Sequence, residues 1–217
     1  MRDGFFPVIL WPHRPTNSEA RSPMPIRRVT VYCASSTQAH PAYHDAADRL
    51  GATLAAAGMT IIYGGGGVGS MGRLADSALA RGGRVVGVLP AFMKELEWYH
   101  RGVSELRIVE DLHERKRTLL SDADAVVALP GGSGTLDELI EAISLKRLGA
   151  FVGPIVAVNT RRFFDPLLTL LERCIAERFM DPRHGSMWQV IAEPEDVIEA
   201  FERAPVWSED AIGFAAL

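Results

Sequence analysis

The sequence predicts an α/β protein, a doubly wound and mainly parallel sheet with helices on both faces. Three observations carry that prediction. Short apolar runs such as Ala125-Val126-Val127-Ala128-Leu129 read as buried parallel strands. They alternate with segments of helical periodicity, the pattern of parallel βαβ units. Glycine-rich turns follow strands, so they gather on the one rim where such sheets bind ligands, near a topological switch point.

Taken in order, residues 1–25 read as an irregular N-terminal extension, with Pro7, Pro12, Pro15, Pro23 and Pro25 among polar residues. Either Met24 is the natural start, or the extension is an arm that packs through Phe5, Phe6 and Trp11. Arg28 to Cys33 is the first strand, followed by the hydroxyl-rich turn Ala34-Ser35-Ser36-Thr37. Pro41 to Gly58 is an Ala-rich helix with a glycine stop. Thr60 to Tyr63 is the second strand, and Gly64 to Gly72 a second glycine-rich turn that opens a helix to about Ala80. Arg84 to Leu89 is a strand ended by Pro90, and 91–103 a loop with a helical turn. A short strand at Leu106 to Val109 leads to a helix from Asp111 to Ser121. The central strand follows, then a strand at Pro154 to Val158, a helix at Phe164 to Phe179, a strand at Trp188 to Ile191 and a helix at Pro194 to Arg203. Residues 26–205 form one domain in this reading, and 206–217 a loose C-terminal tail.

The 217 residues are 47% apolar and 23% charged, enough for one sizeable core. A net charge of -4 argues against a nucleic-acid surface, so any anion is met by local groups. Two cysteines, Cys33 and Cys174, are too few for a disulfide scaffold and suit a reducing, cytoplasmic setting. No run approaches the length of a membrane span. The histidines show no metal-binding spacing.

The most informative stretch is Pro130-Gly131-Gly132-Ser133-Gly134-Thr135-Leu136-Asp137-Glu138. It joins the central strand to a helix marked by Leu136, Leu139, Ile140 and Ile143. Glycines let backbone approach a ligand, and a helix N-terminus suits a phosphate. Asp137 and Glu138 add carboxylates at the same mouth. Thr135-x-x-Glu138 also matches a capping box, with Glu138 folding back onto the Thr135 N–H. That reading leaves Pro130 and the three glycines unexplained. Gly67 to Gly72 fits G-x-G-x-x-G, but after the second strand rather than the first, which weakens a dinucleotide-dehydrogenase reading. The glycine run is either a tight turn or a backbone wall for phosphate or ribose, with Gly65 and Gly66 in it. Arg115-Lys116 is either a solvated helical face or a phosphate contact. Cys33 reads as a small buried residue, and His100 and His113 as solvated or structural. Trp98 and Tyr99 either stack on a base or anchor their loop.

With these motifs in view, the sequence resembles the Lonely Guy (LOG) family of cytokinin riboside 5′-monophosphate phosphoribohydrolases, often labelled lysine decarboxylases. The match runs from about Arg28 to Arg203. It rests on Val31-Tyr32-Cys33-Ala34-Ser35-Ser36, on Tyr63-Gly64-Gly65-Gly66 through Gly69-x-Met71-Gly72, on His113-Glu114-Arg115-Lys116, and on Pro130 to Glu138. The resemblance implies a Rossmann-like fold and hydrolysis of the N-glycosidic bond of an adenosine-type 5′-monophosphate. Arg115 and Glu138 match the catalytic pair. Lys116, Gly131, Gly132, Ser133, Gly134, Thr135, Leu136 and Asp137 match nucleotide-contacting positions, with Ser35, Ser36, Gly65 and Gly66 on the facing turns. Glu97 matches a further substrate-contacting glutamate, and Ser144 stands where a pocket threonine is usual. A homodimer or higher homo-oligomer is implied, with no metal or redox cofactor and no membrane partner.

Three departures stand out. Ser133 replaces an aromatic, Leu112 a methionine, and Leu145-Lys146-Arg147-Leu148-Gly149 a Trp-x-Gln-Leu-Gly run. Loss of bulk at Ser133 and Leu145 leads to an expectation of relaxed base selectivity. Cleaving a ribosyl–base bond builds positive charge on the sugar, which a carboxylate such as Glu138 stabilises. Remote phosphate binding then holds the sugar in reactive geometry. A non-catalytic nucleotide or cofactor carrier is the alternative. Amino-acid decarboxylation is a third, for which the sequence marks no cofactor-bearing lysine.

Overall fold

A computed structural model describes residues 25–96 and 98–215. The readings placed on the N-terminal extension, on Met24 and on Glu97 fall outside these residues. Seven strands form one sheet: β1 (Arg28–Tyr32), β2 (Thr60–Tyr63), β3 (Val85–Pro90), β4 (Glu105–Val109), β5 (Ala125–Ala128), β6 (Ile155–Val158) and β7 (Gln189–Ile191). Among the described residues seven α-helices accompany them: α1 (Pro41–Ala56), α2 (Gly69–Ala80), α3 (Ala91–Glu95), α4 (Leu112–Ser121), α5 (Ser133–Arg147), α6 (Asp165–Ala176) and α7 (Val197–Arg203).

Every strand pair is parallel, in the order β4-β3-β2-β1-β5-β6-β7. The expected doubly wound sheet is therefore borne out. The chain builds outward from β1 to β4, returns through α4 to β5 beside β1, and builds outward again. The β1–β5 seam is the switch point, and the loops after these two strands open a crevice there.

Strand alternation sorts the core into two layers. Val29 and Val31 of β1 pack with Leu50 of α1, Leu74 of α2 and Phe201 of α7. Tyr32 of the same strand points the other way, to Leu119 of α4, Ile143 of α5 and Leu171 of α6. Continuous apolar strands such as β5 arise because both faces are covered, and all its residues are buried.

Most boundaries differ from the sequence reading by a residue or two, as helix and strand ends do. The C-terminal stretch differs in kind. Residues 206–215 are not loose. Glu209–Phe214 forms a 3₁₀ turn, Ala211 is buried, and the Trp207 indole N–H donates to Lys146 O at 2.7 Å. The Phe214 ring stacks on His184 at 5.5 Å. A short stretch of mixed polar and apolar residues with two isolated aromatics carries no clear periodicity, so only tertiary packing reveals this clasp.

Candidate active site at the carboxyl rim

The site is built from four loops at the carboxyl ends of β1, β2, β3 and β5. β5 ends at Ala128, and Pro130-Gly131-Gly132 turns the chain into α5. Gly132 is the extended N-cap residue, with φ -82° and ψ -161°, and no side chain caps the helix. The helix starts at Ser133, so Thr135 is already its third residue. The capping-box reading of Thr135 and Glu138 is thus overturned. Leu136 N–H donates to Gly132 O at 3.1 Å, which leaves the Ser133, Gly134 and Thr135 N–H groups ahead of the first intrahelical bond. Gly132, Ser133 and Gly134 are exposed at this positive helix end. Gly131 is required by contact: a Cβ there would overlap the Thr135 hydroxyl.

Glu138 lies one turn further along α5 and faces inward, 8% exposed, against Arg115 of α4, which is 12% exposed. The Arg115 Nη1 donates to Glu138 Oε1 at 3.2 Å. Two backbone carbonyls fix the rest of the guanidinium: Nε donates to Val88 O at 3.1 Å and Nη2 to Gly64 O at 3.0 Å. A Cβ on Gly64 would overlap this guanidinium and the Met71 side-chain end, so either would have to shift from its present place. Arg115 thus ties the β2 and β3 loops to the carboxylate of α5. Burial pushes the Glu138 carboxyl up to about 7, while the Arg115 charge opposes that rise. A carboxyl poised near neutrality can exchange a proton at ordinary pH.

Lys116, the next residue, forms ion pairs with Asp137 at 3.1 Å and Glu141 at 3.4 Å. Both acids sit on α5, four residues apart on one face. The solvated-face reading of Arg115-Lys116 is therefore set aside for Arg115 and only partly holds for Lys116.

The glycine run after β2 forms the opposite wall. Tyr63 donates its hydroxyl to Gly66 O at 3.1 Å, and His100 N–H donates to Gly65 O at 2.8 Å. Gly65 and Gly66 are buried, so their carbonyls are spent inside the protein. Gly69, at φ +62°, brings α2 against the β1 loop, and Met71 N–H donates to Ala34 O at 3.0 Å. Ser35 and Ser36 stay exposed on that loop. Cys33 behind them is buried, and desolvation pushes its thiol well above the usual range, which suits a packing role. His100 is structural: its Nε2 lies 2.9 Å from Asp76 Oδ1. Tyr99 bridges to Gly66, and Trp98 stands 59% exposed beside it.

Two further readings, Ser144 and the 145–149 run, lie away from the helix start in the single chain. Ser144 is exposed and donates its hydroxyl to Ile140 O at 2.8 Å. It lies on the order of 16 Å along the helix from Ser133. Leu145 packs into the core layer under α5, Lys146 is buried, and neither approaches the helix start. In the single chain the changed run at 145–149 therefore packs at the far end of α5, while Ser133 lies at the helix start.

The sequence reading missed the Val88 and Gly64 carbonyls and Glu141. The carbonyls have no side-chain signature. Glu141 was findable from its four-residue spacing to Asp137. Among the described residues no group of three or more His, Cys, Asp or Glu is placed to hold a metal ion. No helix among them is long and apolar enough to cross a membrane.

A family model described as "possible lysine decarboxylase" matches residues 71–201, more than half of the chain. The chain is 37% identical over 195 residues to a cytokinin riboside 5′-monophosphate phosphoribohydrolase of Rhodococcoides fascians, covering 89% of this chain and 97% of that one. It is 37% identical over 191 residues to the enzyme of that name in Oryza sativa subsp. japonica, covering 84% and 78%. Among solved structures, the molybdenum cofactor binding protein of Rippkaea orientalis aligns with a TM-score of 0.64 at 23% identity, over 82% of this chain and 97% of that one. The molybdenum cofactor carrier protein of Chlamydomonas reinhardtii aligns at 0.65 and 19%, over 83% and 98%. These last two likenesses speak to the fold alone.

Proposed function

We propose, for a chain that belongs to the Lonely Guy family of cytokinin riboside 5′-monophosphate phosphoribohydrolases, hydrolysis of the N-glycosidic bond of adenosine-type 5′-monophosphates. Water adds to the anomeric carbon, and free base and ribose 5-phosphate leave. The observation that carries this reading is the sheltered Arg115–Glu138 pair, 3.2 Å apart, beside an uncapped helix start.

Each part has a task in this chemistry. The N–H groups of Ser133, Gly134 and Thr135 hold the 5′-phosphate. Gly131, Leu136 and Asp137 shape that turn, Lys116 offsets the acids beside it, and Ser35 and Ser36 face it across the β1–β5 seam. Glu138, ionised when substrate binds, stabilises positive charge growing on the sugar and orients or deprotonates the water. Arg115, braced by two carbonyls, holds Glu138 in place and meets substrate oxygens. By the family resemblance, Glu97 adds a further substrate contact. Residues 26–205 are the catalytic unit, acting in the cytoplasm without a cofactor.

The test is incubation with AMP and with an N6-prenylated AMP, followed by chromatography for free base. Both should release base, and the nucleoside without the 5′-phosphate should react far more slowly, because remote binding energy is lost. Nucleotide that binds and returns intact would establish a carrier instead. That reading takes its weight from the fold shared with two proteins named for molybdenum cofactor binding or carriage.

We also propose a homo-oligomer. Ile140 and Ser144 of α5 and its C-cap residue Leu148 follow one exposed face at helical spacing. A second copy on this face would cover that stripe and bring Ser144 into an enclosed setting. Sedimentation that finds only the 23.7 kDa species at micromolar concentration would remove this proposal.

A further inference from the structure

The turn after β6 holds two of the three non-glycine residues at positive φ among the described residues, and its chemistry is unused by the mechanism above. Arg161 and Arg162 are consecutive non-glycine residues in the left-handed region, at φ +56° and +60°. Single left-handed residues occur in turns, but two adjacent arginines need surroundings that hold them there. Those surroundings are visible. Asn159 donates from Nδ2 to Asp165 Oδ1 at 2.7 Å and accepts from Phe164 N–H at 2.7 Å. Arg162 Nε donates to Asp165 Oδ2 at 2.6 Å. Arg161 is exposed and, among the described residues, has no ion-pair or hydrogen-bond partner. Beside it the Thr160 hydroxyl is buried without a partner.

The position of this turn is as informative as its shape. β6 is the neighbour of β5 in the sheet, with Ala128 opposite Ala157. The Asn159–Arg162 turn and the Pro130–Gly132 turn are therefore adjacent on the same carboxyl rim. Phe163 packs edge-on against Tyr43 at 6.0 Å, which draws the turn to the first coil of α1, just beyond Ser35 and Ser36. The crevice at the β1–β5 seam thus has a cationic turn on the side away from Arg115. On the other side Lys116 is already taken by Asp137 and Glu141.

We infer that Arg161 is a specificity residue for the phosphate end of the substrate, closing on the 5′-phosphate opposite the N–H groups of α5. This rests on the proposed nucleotide site. The left-handed backbone sets the direction of a free guanidinium, whose fork suits a phosphate's oxygens. Arg162, held by Asp165, serves the turn rather than the ligand.

The test uses Arg161→Asn, which removes the charge while tolerating the left-handed conformation, and Arg161→Lys, which keeps the charge. The Asn variant should raise KM for AMP roughly tenfold, the scale of one charge-assisted hydrogen bond, with kcat and melting temperature little changed. Its kcat/KM for adenosine should equal that of the unaltered protein. Lys should restore most of the AMP affinity. Ribose 5-phosphate binding by calorimetry should weaken in parallel. An equal loss on AMP and adenosine, or unchanged AMP kinetics and ribose 5-phosphate affinity, would overturn the assignment. Calorimetry keeps the two claims separate. A protein that cleaves no AMP but loses ribose 5-phosphate affinity on Arg161→Asn refutes the hydrolase and keeps this residue. A protein that binds no ribose 5-phosphate refutes the residue.

Discussion

The two ends of α5 each bury an ionisable side chain, and they do so for different ends. Near its start Glu138 meets Arg115 at the rim of an open crevice. At its end Lys146 lies 2% exposed, donating to Gly153 O at 2.6 Å, with its amine 5.7 Å from the Trp207 ring. Desolvation pushes both towards the neutral form, Glu138 up to about 7 and Lys146 down to about 8. One cause therefore acts at both ends, and the surroundings decide what it does. Glu138 has a charged partner and a mouth through which ligand arrives. Lys146 has a carbonyl, an indole lid and the C-terminal clasp. A depressed lysine is also what Schiff-base chemistry needs, and this one is sealed from any substrate, which argues against decarboxylation.

Glu138→Gln breaks the comparison most strongly. It keeps volume and removes the charge, so turnover of AMP should fall about 100-fold or more, the scale of one lost transition-state stabiliser. The fold should survive. In the unaltered protein kcat/KM should rise with pH through about 7 as Glu138 ionises, and that rise should vanish in the variant. Stability should move the opposite way. A carboxyl raised above its unfolded value contributes stability in full below about 4.5, and loses it as pH rises through about 7. The melting temperature of Glu138→Gln should therefore gain on the unaltered protein between pH 5 and 8. Near-normal turnover, or parallel melting curves across that range, would reduce Glu138 to a packing residue.

How much of this was legible depended on whether a feature was local. The parallel sheet was, because β5 and β6 are continuous apolar runs and glycine-rich turns follow the strands. Arg115 and Glu138 each sat in a recognisable motif, and the family resemblance paired them across 23 positions. Their common frame was not legible, since the Val88 and Gly64 carbonyls leave no mark in a sequence. Thr135-x-x-Glu138 misled because a four-residue pattern does not reveal that Gly132 already holds the N-cap position. Arg161 looks like any surface arginine until its φ is known. Trp207 and Phe214 acquire meaning only from His184 and Lys146, which lie far away along the chain.

The gentlest test concerns Lys146, at the closed end of the comparison. Its folded pKa, about 8, lies below the ordinary value of 10.5. The stability linked to that shift is complete above about 10.5 and is lost as pH falls through about 8. At pH 7 the protein therefore carries a buried ammonium with one carbonyl acceptor and an indole face. Lys146→Met removes the amine and keeps most of the volume. It forfeits one hydrogen bond, worth about 1–2 kcal/mol, and a cation–π contact of similar size. Against this it removes the cost of burying the charge, which is of the same order or larger. The net change at pH 7 should be within about 2 kcal/mol and in the stabilising direction. It should shrink as pH is raised from 7 to 10, with AMP turnover unchanged throughout. A Lys146→Met protein that unfolds earlier than the unaltered one at pH 7, with a gap independent of pH, would show that the amine anchors the C-terminal clasp. A loss of turnover would show that the two ends of α5 are coupled after all.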